Sequence, residues 1–102
     1  PLFTTLIALM KHGKAKLGVI DQPVVRERWL GSAGEQTICN GKPVFVSDVR
    51  TLGMAKFAST SIYHFTPAES EVFLKLKDNC QNFQLGGDAY AYAMLASGNL
   101  DI

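Results

Sequence analysis

The sequence predicts an α+β domain, a mixed sheet with helices packed on it. Three observations carry this. Apolar, β-rich runs broken by polar turns come first in the chain, and the two segments with explicit helix-start signals, at Thr66 and Asp88, come after them. Short extended stretches separate those helices, which argues against an all-β barrel. The composition is that of an ordinary globular domain: 102 residues, 47% hydrophobic and 19% charged, enough for one thin core. This balance excludes a disordered tail, a coiled coil and a collagen-like chain. Apolar runs are only a few residues long, so no membrane span is expected. No apolar stretch follows a basic N-terminus, so no signal peptide is expected.

The elements follow in order. Residues 3–10 (FTTLIALM) are nearly continuously apolar and read as a strand covered on both faces. Lys11-His12-Gly13-Lys14 is a polar turn with a glycine for positive φ. Residues 16–21 (KLGVID) form a second strand, which Gln22-Pro23 breaks. Residues 24–30 (VVRERWL) resume it, with Val25, Glu27 and Trp29 on one face and Val24, Arg26, Arg28 and Leu30 on the other. An antiparallel meander is expected.

Gly31-Ser32-Ala33-Gly34 is a link before a short strand at 36–39, and Asn40-Gly41 is the clearest hairpin signal in the chain. Residues 43–46 are its partner strand, with Pro43 at the first position. Ser47-Asp48 offers a cap for a short helical turn through Leu52, ended near Gly53. Residues 56–61 (KFASTS) read as another strand. Thr66, Pro67 and Glu69 then spell a capping box with proline at the first helical position. Val72, Phe73 and Leu76 are the expected buried stripe of that helix, and Glu71 and Lys75 an i,i+4 pair. Residues 79–85 are extended and end in Gly86-Gly87. Asp88 is expected to cap a last helix over 89–97, closed by Gly98 and Asn99.

Ten basic and nine acidic residues leave a net charge of +1, with no basic stripe of the kind that binds nucleic acid. Cys39 and Cys80 are far apart and in no CxxC pair, and His12 and His64 are not spaced as metal ligands. Free buried thiols in a reducing, cytoplasmic setting are the expectation. No G-x-S-x-G elbow or P-loop occurs.

The chemistry-bearing feature is the extended stretch, the two glycines and the helix start at Asp88. Glycines let backbone approach a ligand closely. A helix start presents free N–H groups and a positive partial charge, which suits a ligand oxygen. Gly-Gly before a capped helix also occurs as a plain tight turn. Asp88 reads either as the cap or as a carboxylate offered to a ligand's cation or hydroxyls, and the two are compatible. Tyr90, Ala91, Met94 and Leu95 read as core, and Ala89, Ala93 and Ala96 as a narrow face for close packing. Asp21 is either a ligand or a turn acceptor; Arg26, Glu27 and Arg28 read as a solvated cross-strand ladder of charges. Ser59, Thr60, Ser61 and His64 form a plausible cleft rim.

Residues 18–34 (GVIDQPVVRERWLGSAG), 39–48 (CNGKPVFVSD) and 85–102 (LGGDAYAYAMLASGNLDI) resemble, in order and over essentially the whole chain, the inositol monophosphatase superfamily. The likeness is greatest to its histidinol-phosphate phosphatase branch, through residues 21–29 and 86–92. The resemblance implies a layered α/β sandwich and a magnesium-dependent phosphomonoesterase of histidine biosynthesis. In that family the metal is held by an early helical acidic residue, a D-P-x-D-G-T motif and a later aromatic-Asp motif, and none of these is present here. The expectation is therefore that residues 1–102 are a single segment of a larger phosphatase chain, with the Mg2+ ligands and the catalytic groups outside it. Alone, the segment is expected to be inactive and poorly soluble.

The segment would supply the substrate pocket at Gly87, Asp88 and Ala89, which match the family's Gly-Thr-Ala step with Asp in place of Thr. An acidic group there favours a substrate with a cation, such as the amino alcohol histidinol phosphate, over a neutral polyol. An inositol phosphatase or another small-metabolite phosphatase is the alternative. A non-catalytic module of the same fold is the alternative from a different class. The implied partner is a small phosphorylated metabolite, and a homodimer is one assembly open to the chain.

Overall fold

Two-residue turns in left-handed backbone set up the first sheet. A computed structural model of the chain describes residues 2–102. Strand β1 (Thr5–Lys11) reverses into β2 (Lys14–Gln22) through His12 and Gly13, at φ of 50° and 74°, the combination that matches the twist of a tight hairpin. Asn40 and Gly41, at 49° and 80°, make the same kind of turn between β4 (Ile38–Cys39) and β5 (Lys42–Pro43). With β3 (Glu27–Ser32) between, the five strands pair antiparallel in sequence order, and Asp21 stands opposite Arg28.

The strand expected over 24–30 begins only at Glu27. The reason is Gln22, which is 3% exposed: its side-chain oxygen accepts the Val24 N–H at 2.7 Å and folds the chain into a turn before pairing can resume. Val24 and Val25 are left in solvent. From Glu27 on, the expected alternation holds, with Glu27 and Trp29 turned in and Arg28 and Leu30 out.

A second, parallel pair comes from the later part of the chain. Strand β6 (Lys56–Ser59) leads through helix α1 (Pro67–Asn79) to β7 (Asn82–Leu85), which pairs with β6 from Lys56–Asn82 to Ser59–Leu85. Helix α2 (Asp88–Ala96) follows and packs on β2. The mixed strands of the predicted α+β class thus divide into an antiparallel meander and a parallel pair, with two helices. The helix α1 begins as expected: the Thr66 hydroxyl accepts from the Glu69 N–H, and the Glu69 carboxylate accepts from the Thr66 N–H.

The core has two parts. Phe57, Phe65, Phe73 and Phe83 join α1 to the parallel pair, with neighbouring ring centroids 4.9 to 5.5 Å apart. Trp29, Ala93 and Leu100 are buried where α2 meets the meander. Of the stripe expected on α1, Phe73 is buried and Leu76 half-buried, but Val72 faces an open apolar groove of about 540 Å³. Val72 borders this groove with Phe57 and Phe65 and stays exposed.

Two further expectations change. Strand β1 is exposed along its whole length rather than covered on both faces: it pairs with β2 along one edge, and among the described residues no layer covers its faces. Ser47 caps no helix: its hydroxyl bonds to the Asp101 carboxylate, whose other oxygen accepts the Lys56 N–H at 2.7 Å. Those two bonds hold the Asp101 carboxyl below its ordinary value, the Lys56 N–H contributing most. The short turn instead forms one 3-10 turn at Leu52–Met54. The strand expected at 43–46 is limited to Lys42–Pro43, continued by one bond from the Val44 N–H to the Thr37 carbonyl at 3.0 Å.

Candidate functional site

Parallel strands end together, and ligand sites in such sheets gather beyond their carboxyl ends. Here β6 and β7 end at the paired residues Ser59 and Leu85, and the Gly86 N–H closes the pair on the Ser59 carbonyl at 2.9 Å. Three successive residues then take left-handed backbone: Gly86 at φ 88°, Gly87 at 95° and Asp88 at 41°. Glycine enters that region without cost, and aspartate is among the side chains that tolerate it. The run turns the chain from the strand directly into α2.

The expected cap is corrected by this geometry. Gly87, not Asp88, is the N-cap of α2, and no side chain caps the first turn. A capping carboxylate needs extended backbone to fold back over the first N–H groups. Asp88 is instead the first helical residue. The Gly87 carbonyl accepts the Tyr90 N–H at 2.8 Å and the Ala91 N–H at 3.1 Å. The N–H groups of Asp88 and Ala89 lead this turn, at the positive end of the helix dipole.

Asp88 is exposed and borders a cavity of about 120 Å³ with Thr60, Tyr92, Leu95 and Ile102. Gly87 and Ala89 flank it, both half-buried. The space beside Gly87 is tight: a Cβ there would stand 3.2 Å from the Ala91 methyl. Of the expected rim, Thr60 meets Asp88 across the cavity. The Ser59 hydroxyl donates to the Ser61 carbonyl at 3.2 Å, and His64 is exposed on the loop entering α1.

Asp21 is not a turn acceptor. It pairs with Arg28 Nε at 2.7 Å across β2 and β3, beside a cavity of about 490 Å³ that Arg26 and Asn40 also line. The Arg28 side chain is 68% exposed, so the pair adds little stability. The expected ladder is otherwise overturned. Arg26 lies in the turn at φ 59°, and Glu27 is half-buried and accepts the Tyr90 phenol at 2.7 Å. Burial, then the Glu27 hydrogen bond and charge, push the Tyr90 phenol up to about 12. The core reading of Tyr90 missed this partner. The signal was present in the alternation that puts Glu27 on the inward face beside Trp29.

Cys39 and Cys80 are free and half-buried, and burial followed by the Glu27 charge pushes the Cys39 thiol up. Among the described residues, no three of His, Cys, Asp or Glu come together to hold a metal ion, and no helix is long and apolar enough to cross a membrane.

The family model described as the inositol monophosphatase family matches residues 1–102. The chain is 39% identical over 102 residues to the bifunctional phosphatase IMPL2 of Arabidopsis thaliana, covering 100% of this chain and 30% of that protein. It is 29% identical over 108 residues to a histidinol-phosphatase of Mycobacterium tuberculosis, covering 100% of this chain and 42% of that one. Among solved structures, an inositol monophosphatase from Zymomonas mobilis superposes with a TM-score of 0.91 at 37% identity, over 96% of this chain and 39% of that chain. The chain thus spans less than half the length of these relatives. Its match over every residue, and a backbone that superposes on a solved member, show that this chain belongs to the inositol monophosphatase family.

Proposed function

We propose that the full-length protein is a phosphomonoesterase that hydrolyses histidinol phosphate to histidinol, a step of histidine biosynthesis. The residues described here supply sheet and one wall of the substrate pocket. The observation that carries the reading is Asp88, a carboxylate at the start of α2, beside two left-handed glycines and open to a cavity. Three relatives bear the name histidinol-phosphatase, from Mycobacterium tuberculosis, Chlorobaculum parvum and Streptomyces coelicolor.

In this reading the substrate's ammonium group pairs with Asp88, a charge-assisted contact that a neutral polyol cannot make. The leading N–H groups of α2 face the alcohol portion, and Gly87 lets it approach the backbone. The chain's contribution is to bind and orient. Magnesium, implied by the resemblance, does not fit the described residues, which bring no ligand cluster together. No catalytic step is assigned to them.

The second reading, an inositol phosphate as substrate, is favoured by the 37% identity to the Zymomonas mobilis inositol monophosphatase. The two are separated by comparing kcat/KM for histidinol phosphate and inositol phosphate in the full-length protein and its Asp88→Thr variant. The expected result is a preference for the cationic ester that falls at least about tenfold in the variant, the loss of one charge-assisted bond. An unchanged ratio would remove Asp88 from the proposal.

A further inference from the structure

The segment 21–29 stood out in the sequence, yet substrate binding uses none of it. The structure joins it to α2. Glu27 and Trp29 are two apart on β3 and share a face. Tyr90 on α2 and Ser97, the residue that caps its C-terminal end, are seven apart, about two helical turns. The Tyr90 phenol donates to Glu27 at 2.7 Å, and Trp29 Nε1 donates to the Ser97 hydroxyl at 2.8 Å. The Trp29 and Tyr90 rings meet edge-on, with centroids 5.7 Å apart and planes at 78°. Trp29 is 3% exposed, so this contact is part of the core.

These two bonds add a directional constraint to an otherwise largely apolar interface. Between its anchors α2 carries Ala91, Tyr92, Ala93, Met94, Leu95 and Ala96, apolar or aromatic all round. Burial of apolar surface is in itself non-directional, and a run with alanine at three of six positions offers few large side chains to lock helix rotation and axial offset. Hydrogen bonds have a preferred distance and angle, and fix both. The helix is also two-sided. Tyr90 and Met94 line a cavity of about 390 Å³ together with Glu27, whereas Asp88, Ala91 and Leu95 line the separate cavity beside Thr60. The face that is tied to β3 is not the face that offers Asp88.

We propose that Glu27, acting through the Tyr90 phenol, is a positioning residue that sets where Gly87, Asp88 and Ala89 stand in the substrate pocket. The proposal rests on the reading that those three residues hold the alcohol portion of the substrate. Tyr90 adjoins Ala89 in the chain, so a displaced phenol moves the helix start with it. Glu27 lines no part of the Asp88 cavity.

The test uses the full-length protein and the phosphate ester it turns over, with Tyr90→Phe, Glu27→Ala, Glu27→Gln and the double variant Glu27→Ala/Tyr90→Phe. Tyr90→Phe keeps the ring against Trp29 and removes only the hydroxyl. Expected are a KM raised about tenfold in Tyr90→Phe and Glu27→Ala, with kcat within about threefold of wild type. The double variant is expected to be no worse than either single one. Glu27→Gln keeps an oxygen acceptor and is expected to restore KM to within about threefold. Unchanged KM in Tyr90→Phe overturns the proposal, as does a loss of kcat and melting temperature with KM flat, the mark of packing alone. A wild-type protein that prefers inositol phosphate overturns the proposed substrate; the same KM shift, read on inositol phosphate, still supports the anchor.

Discussion

Asp88 sits in backbone that few side chains accept. Its φ of 41° follows two left-handed glycines and denies its carboxylate the capping geometry that the sequence suggested. What remains is an exposed acidic group at a cavity, which is what a cationic alcohol would need. Tyr90, two residues on, is its opposite: half-buried, bonded, and tied to another element. Its phenol has an ordinary value of 10.0, raised to about 12 in the fold by burial and by Glu27. A raised value means that the neutral phenol is the form the fold favours. Its stabilising contribution is therefore complete below about pH 10 and is lost as pH rises through about 12. Alkaline spectrophotometric titration of the full-length protein should show a tyrosine component near pH 12 that is absent in Tyr90→Phe.

At the scale of elements, α1 is held by local signals and α2 by distant ones. The capping box of α1 is complete: Glu69 accepts both the Thr66 hydroxyl at 2.7 Å and the Thr66 N–H at 2.8 Å, and these bonds, the hydroxyl's first, lower the Glu69 carboxyl from its ordinary value. Removing the hydroxyl in Thr66→Ala should cost about 1 kcal/mol of stability by chemical denaturation of the full-length protein, with KM unchanged. The i,i+4 pair of Glu71 and Lys75, at 2.9 Å, forms as expected. The helix α2 has no side-chain cap. Its C-terminal end instead presses on residues 45–47, where a Cβ on Gly98 would stand 2.9 Å from the Phe45 carbonyl and the Ser47 N–H. Residues 44–50 are irregular rather than helical, held by that contact, by the Ser47–Asp101 bond and by a local bond from the Val49 N–H to the Ser47 hydroxyl at 3.3 Å.

At the scale of the molecule, the described layers leave much apolar surface uncovered. The chain exposes 7359 Å², whereas a compact protein of 11.1 kDa exposes about 5,700 Å². Its radius of gyration is 15.0 Å, against about 13 Å for a self-contained domain of this length. Exposed apolar side chains occur along the chain, and Leu6, Ile7, Leu9 and Met10 form a continuous run of them on the edge strand. Residues 1–102 expressed alone should therefore associate at micromolar concentration, read by light scattering. Replacing Ile7 and Leu9 with lysine should reduce that association. A monomer that unfolds cooperatively would count against this reading.

The sequence by itself determined what is local. Hairpins at His12-Gly13 and Asn40-Gly41, the start of α1 at Thr66, and the glycines before α2 were all legible, because each depends on neighbours within a few residues. Resemblance along 18–34, 39–48 and 85–102 made the family legible as well. Tertiary structure decided the rest. Gln22 turned an expected strand into a loop by burying its amide, and Glu27 passed from an expected surface charge to the acceptor of a phenol more than sixty residues away. Period-two alternation shows that Glu27 and Trp29 share a face. It does not show which element meets that face, since a side chain's partner is set by how layers pack, and packing is a property of the whole chain.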